Sequence, residues 1–141
     1  MRRYLVIANV TVTEPHLLDK VRQAMAAGDS SFHLLIPASP SHEGLTWTEG
    51  QARAAAQEQL DAGLRAFGDM GAEVTGEVGA ASPVDAAGDL VAREDFDEIL
   101  LSTLPLGPSR WLKQDVVARM QRHVNIPVTH VLGVASESPA G

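Results

Sequence analysis

Two short stretches of this 141-residue chain carry polar groups at spacings that could hold an anion: Asn9-Val10-Thr11, and Ser102-Thr103 followed by Gly107-Pro108-Ser109-Arg110. The second stretch comes after an apolar run and opens a helix at Pro108, since proline suits the first helical turn. A helix start there offers spare N–H groups and the positive end of the helix dipole. The Ser109 hydroxyl and Arg110 guanidinium would add charge-assisted hydrogen bonds, with Gln114 and Asp115 further along the same helix. The competing reading is that Ser109 only caps its own helix and Arg110 reaches solvent.

Other chemistries are poorly provided for. Cysteine is absent, which removes disulfides, thiolate catalysis and Cys-type zinc sites. The five histidines, His16, His33, His42, His123 and His130, include no pair four residues apart and read as structural or solvated, with His33 and His130 inside strands. We therefore expect no metal site. There is no GxGxxG, no GxxxxGK[ST] and no GxSxG elbow, so the common dinucleotide, P-loop and hydrolase signatures are missing. A phosphoacceptor site would need clustered acids after the first and third strands, where Ala8-Asn9 and Val78-Gly79 stand instead. The Thr11-Val12-Thr13 turn lacks the glycine of a flavin-phosphate loop, and a capped helix start explains it more simply. We expect no catalytic residues and no enzyme activity.

The elements that must position these groups can be read from hydrophobic patterning. Residues 4–8 (YLVIA) form a continuous apolar run, as in a central strand covered on both faces. Thr13 can cap a helix carrying Leu17, Val21 and Ala24 inward until Gly28. Residues 32–37 form a second strand ending at Pro37, and the Pro/Ser/Gly-rich residues 38–46 form a loop. Thr46 with Glu49, or Thr48 with Gln51, opens the longest helix, in which Ala56, Leu60, Leu64 and Phe67 recur; Gly68 and Gly71 stop it. Residues 72–78, with Gly76 inside, read as a less buried strand. Ser82 caps a helix with Val84, Ala87 and Val91 inward; residues 98–102 and 128–134 supply the last two strands. The helix between them turns Leu112, Val116, Val117, Met120 and Val124 inward.

Strands alternating with helices and joined by right-handed crossovers give a three-layer α/β/α sandwich with a five-stranded parallel sheet, Rossmann-like, of expected order 3-2-1-4-5. In that order the switch point lies between strands one and four. The expected ligand crevice is therefore lined by Asn9, Val10, Thr11, Pro37, Ser102, Thr103, Gly107, Ser109, Arg110, Gln114 and Asp115. Residues 1–135 form one domain and residues 136–141 a flexible tail. An apolar content of 45% is that of a globular chain, and a net charge of −7 disfavours nucleic acid and anionic membrane as partners. The apolar run at the N-terminus is short and has no cleavage pattern, and no run is long enough to span a bilayer, so the expected location is cytoplasmic.

Residues 101–131 resemble the C-terminal half of the universal stress proteins, small α/β domains related to adenine nucleotide alpha hydrolase-like folds. ATP-binding members of that family carry Gly, two residues, Gly, nine residues, then Gly followed by Ser or Thr. Gly107-Pro108-Ser109-Arg110-Trp111-Leu112 resembles the Gly-Leu-Ser-Arg run of that spacer. Val116-Val117 and Ile126-Pro127-Val128 resemble the helix and the Pro-Val strand that succeed the motif in the family, and YLVIA resembles its first strand. In this frame the motif glycines fall on Leu101, Leu104 and Gln114, the hydroxyl residue becomes Asp115, and the family's acidic residue after strand one becomes Asn9. The resemblance thus implies a divergent, non-catalytic member with a stress-related regulatory or partner-binding role. No cofactor is expected; ATP or another nucleotide is disfavoured, because leucine side chains hinder backbone approach to phosphates and a carboxylate repels them. The alternative is a small-ligand or nucleotide-binding module using the same crevice. The family commonly dimerises along its last strand, and residues 127–134 are an apolar edge here, so a homodimer is expected, with Thr129→Pro as its test if the Thr129 N–H faces the partner.

Overall fold

The computed structural model describes residues 2–8, 12–38, 49–79, 83–103 and 116–132. They form β1 (Arg2–Ile7), α1 (Pro15–Ala27), β2 (Ser30–Pro37), α2 (Glu49–Asp69), β3 (Glu73–Gly79), α3 (Pro83–Arg93), β4 (Glu98–Thr103), α4 (Val116–His123) and β5 (Val128–Leu132). All strand pairs are parallel and the sheet order is β3-β2-β1-β4-β5, as the patterning predicts.

Strand β1 is the axis of this arrangement. It pairs with β2 on one side and with β4 on the other, Ile7 standing opposite both Leu35 and Leu101. Its alternating side chains feed two separate cores. Tyr4, Val6 and Ala8 pack with Leu17 and Val21 of α1 and with Ala56, Leu60 and Phe67 of α2. Leu5 and Ile7 pack with Val84, Ala87 and Leu90 of α3 and with Met120 of α4. Burial on both faces is why the first run reads as unbroken apolar sequence. At the amino edge, β1 is locked to the start of β4 by a reciprocal pair: the Arg3 N–H donates to the Asp97 carboxylate and the Asp97 N–H donates to the Arg3 carbonyl, each at 2.7 Å.

Several local details depart from the sequence pattern. Helix α1 takes Glu14 as its N-cap, with no side-chain cap bond, because Pro15 occupies the first turn; Thr13 lies in the preceding turn. The Glu14 carbonyl accepts from the Leu17 and Leu18 N–H groups, so the backbone alone starts the helix. Gly68 lies inside α2, and the chain turns at Gly71, whose φ of 86° suits glycine. Ala86 and Leu90 join the buried face of α3, on which Val91 is only partly buried. Strand β4 runs one residue further than expected, to Thr103. The proposed caps at Thr46, Thr48 and Ser82, the helix start at Pro108 and Leu112, most of the 38–46 loop and the 136–141 tail lie outside the described residues.

Among the described residues, strand β5 has one neighbour, β4. Ile99 is paired with Val128 and donates its N–H to the Pro127 carbonyl. In a parallel ladder the residue that donates to one neighbour of its partner accepts from the other, which turns the Thr129 N–H toward β4 and those of Val128 and His130 away from it. A proline at Thr129 would therefore damage the sheet itself and could not report on a partner strand.

Gly76 in the edge strand β3 has a packing reason. A Cβ there would lie 2.5 Å from Leu60 Cδ1, 3.0 Å from the Leu34 carbonyl oxygen and 3.1 Å from Leu34 Cβ. Helix α2 seats Leu60 directly on that bare backbone, and the backbone contact cannot move aside. We expect Gly76→Ala to destabilise the fold by about 1–3 kcal/mol. Urea unfolding followed by circular dichroism measures this; an unchanged midpoint would contradict the close approach.

Candidate functional site

The carboxyl edge of the sheet holds a polar pair at the point where the chain reverses direction. From β1, neighbour β2 lies to one side and β4 to the other, with α1 packed on one face of the sheet and α3 on the other, which makes the carboxyl ends of β1 and β4 the switch point of the sheet. Ser102, the next-to-last residue of β4, points to the α1 face of the sheet beside Leu100 and Val131 and is 1% exposed. His16, the second residue of α1, reaches across from the other side: its Nε2 lies 3.2 Å from Ser102 Oγ. The helix that succeeds β1 and the end of β4 are thereby joined through side chains at the switch point.

Electrostatics keep this histidine neutral near pH 7. Burial holds the His16 imidazole below its ordinary 6.5, the nearby Glu14 carboxylate opposing the shift. Its place in the first turn of α1 acts in the same direction as burial, because a helix N-terminus disfavours positive charge. A neutral imidazole can either accept from or donate to the Ser102 hydroxyl, so the pair is held together without net charge. His130, on β5, is likewise held below 6.5 by burial.

The expected site residues divide clearly. Ser102 lies buried at the carboxyl end of β4, against His16. Thr103 comes next as the end of β4, and Pro37 ends β2 at the same sheet edge, buried, two strands away. Asn9, Val10, Thr11, Gly107, Ser109, Arg110, Gln114 and Asp115 lie outside the described residues, and so does Leu104. Leu101 is fully buried, and its side chain packs in the α3 and α4 core on the face opposite His16. It does not stand over the crevice, so its effect there is to fill the space beside β4 and not to screen a ligand directly. The residue that sequence reasoning missed is His16, read as one of several scattered histidines. Its usable signal was position: two residues into the helix that succeeds the central strand, a side chain has to lie near the switch point.

A second polar cluster lies on the α3 side of β2 and β3. His33 Nδ1 lies 2.7 Å from Thr75 Oγ1 and its Nε2 lies 3.3 Å from Glu77, whose other oxygen meets Arg93 at 3.4 Å. These groups satisfy one another and tie the edge strand to β2 and α3. Among the described residues no cluster of three or more His, Asp or Glu could hold a metal ion, and no helix is long and apolar enough to cross a membrane.

No protein-family model matches the chain, and no curated protein matches it. Solved structures do. A universal stress protein family protein from Arabidopsis thaliana, solved with AMP bound, is similar with a TM-score of 0.68 at 15% identity, over 99% of this chain and 97% of that one. A universal stress protein solved in complex with cAMP is similar with a TM-score of 0.64 at 17% identity, over 92% of this chain and 96% of the other. At these identities the likeness shows the fold alone, a parallel five-stranded α/β sheet of order β3-β2-β1-β4-β5.

The depressed histidines set a pH dependence. A group whose folded pKa lies below its unfolded value leaves the unfolded chain binding more protons as pH drops through the window between them, so stability is full above 6.5 and declines below it. We expect stability to fall between about pH 7.5 and about pH 5.5, and His16→Gln to flatten part of that decline. Urea midpoints at both pH values test this, alongside a nuclear magnetic resonance titration of the His16 ring. A ring that titrates above 6.5 would overturn the burial argument.

Proposed function

We propose that this protein is a non-catalytic regulatory domain of the universal stress protein kind, whose carboxyl-edge crevice has lost the capacity to hold Mg-ATP. The observation that carries the reading is the end of β4. A polyphosphate approaches backbone closely only where side chains are missing. Here Ser102, buried against His16, covers the α1 side of that strand end with side chains, while Leu101, at the position that the resemblance aligns with the family's first glycine, puts its side chain into the core on the other face. Gln114 and Asp115, at the positions that the resemblance aligns with the family's last glycine and its hydroxyl neighbour, point the same way. A chain with net charge −7 adds long-range repulsion of a highly anionic ligand.

A second reading is favoured by one specific observation, the His16–Ser102 pair. A polar pair drawn together at the switch point suits a small ligand or a nucleotide without a triphosphate, and the two structural neighbours were solved with AMP and with cAMP. On this reading Ser109 and Arg110 extend the site toward an anionic group. The role without a nucleotide is partner binding or stress-related regulation, in the cytoplasm, with no nucleic acid or membrane partner.

The assembly proposed is a homodimer through residues 127–134. The edge position of β5 and the outward direction of the Val128 N–H support it.

Calorimetry with Mg-ATP tests the first reading. We expect no binding tighter than about millimolar, roughly −4 kcal/mol; a micromolar isotherm would defeat it. Parallel titrations with AMP and cAMP decide whether the second reading holds. For the anion extension, sulfate should raise the melting temperature of the wild type more than that of Arg110→Ala, with chloride at equal ionic strength as the control; equal shifts would remove Arg110 from the site. For assembly, light scattering should report a dimer that Val128→Pro weakens, and a concentration-independent monomer would refute it.

A further inference from the structure

We draw no further inference here: the strongest candidate, the shallow pocket of about 180 Å³ at the amino edge of β1, β2 and β3 beside Arg3, Ser31, His33, Glu73 and Phe96, carries nothing because its arginine and histidine are already held by Glu94, Thr75 and Glu77 and nothing in the structure shows what would occupy it.

Discussion

The arrangement depends on one constraint: β1 must be covered on both faces and paired on both edges at once. Leu5, Val6, Ile7 and Ala8 are each fully buried, and this chain achieves it by placing helices on both sides of a sheet in which β1 is central. Right-handed crossovers then send the chain outward through α1 and α2 on one face and back through α3 and α4 on the other. The switch point is a by-product of that reversal, and His16 and Ser102 are the side chains that the two diverging paths deliver there.

Position accounts for the chemistry of the pair as well. His16 emerges at the start of a helix and against a buried strand end, so both the helix dipole and loss of solvent disfavour its charged form. Ser102 alternates with Leu101, and that alternation sends the leucine into the α3 and α4 core and the hydroxyl to the α1 side. A glycine at either place would leave open space at the end of β4. The side chains present instead make this a filled corner with a small neutral polar feature.

Much of this was legible in the sequence because it rests on burial. The apolar runs at residues 4–8 and 99–101, the α2 stripe of Ala56, Leu60 and Phe67, and the parallel order all derive from which residues must leave water. Details governed by local competition were less legible. Thr13 is a better capping residue than Glu14, yet Pro15 sets where the helix begins. Gly68 looks like a stop, but one glycine does not outweigh the packing of Phe67, and only Gly71 adopts the backbone that ends the turn. The Thr129 amide direction depends on ladder parity, which composition does not encode. His16 was hidden for a related reason: its role comes from a contact with Ser102, 86 positions away in sequence.

We propose that the carboxyl edge of this sheet lacks the bare backbone that a triphosphate requires. The most direct measurement is mass spectrometry of small molecules released from the purified protein on denaturation, quantified against protein concentration. The account predicts that no ATP is released in stoichiometric amount. Release of about one ATP per chain would contradict it, because a ligand that survives purification must bind far more tightly than about millimolar.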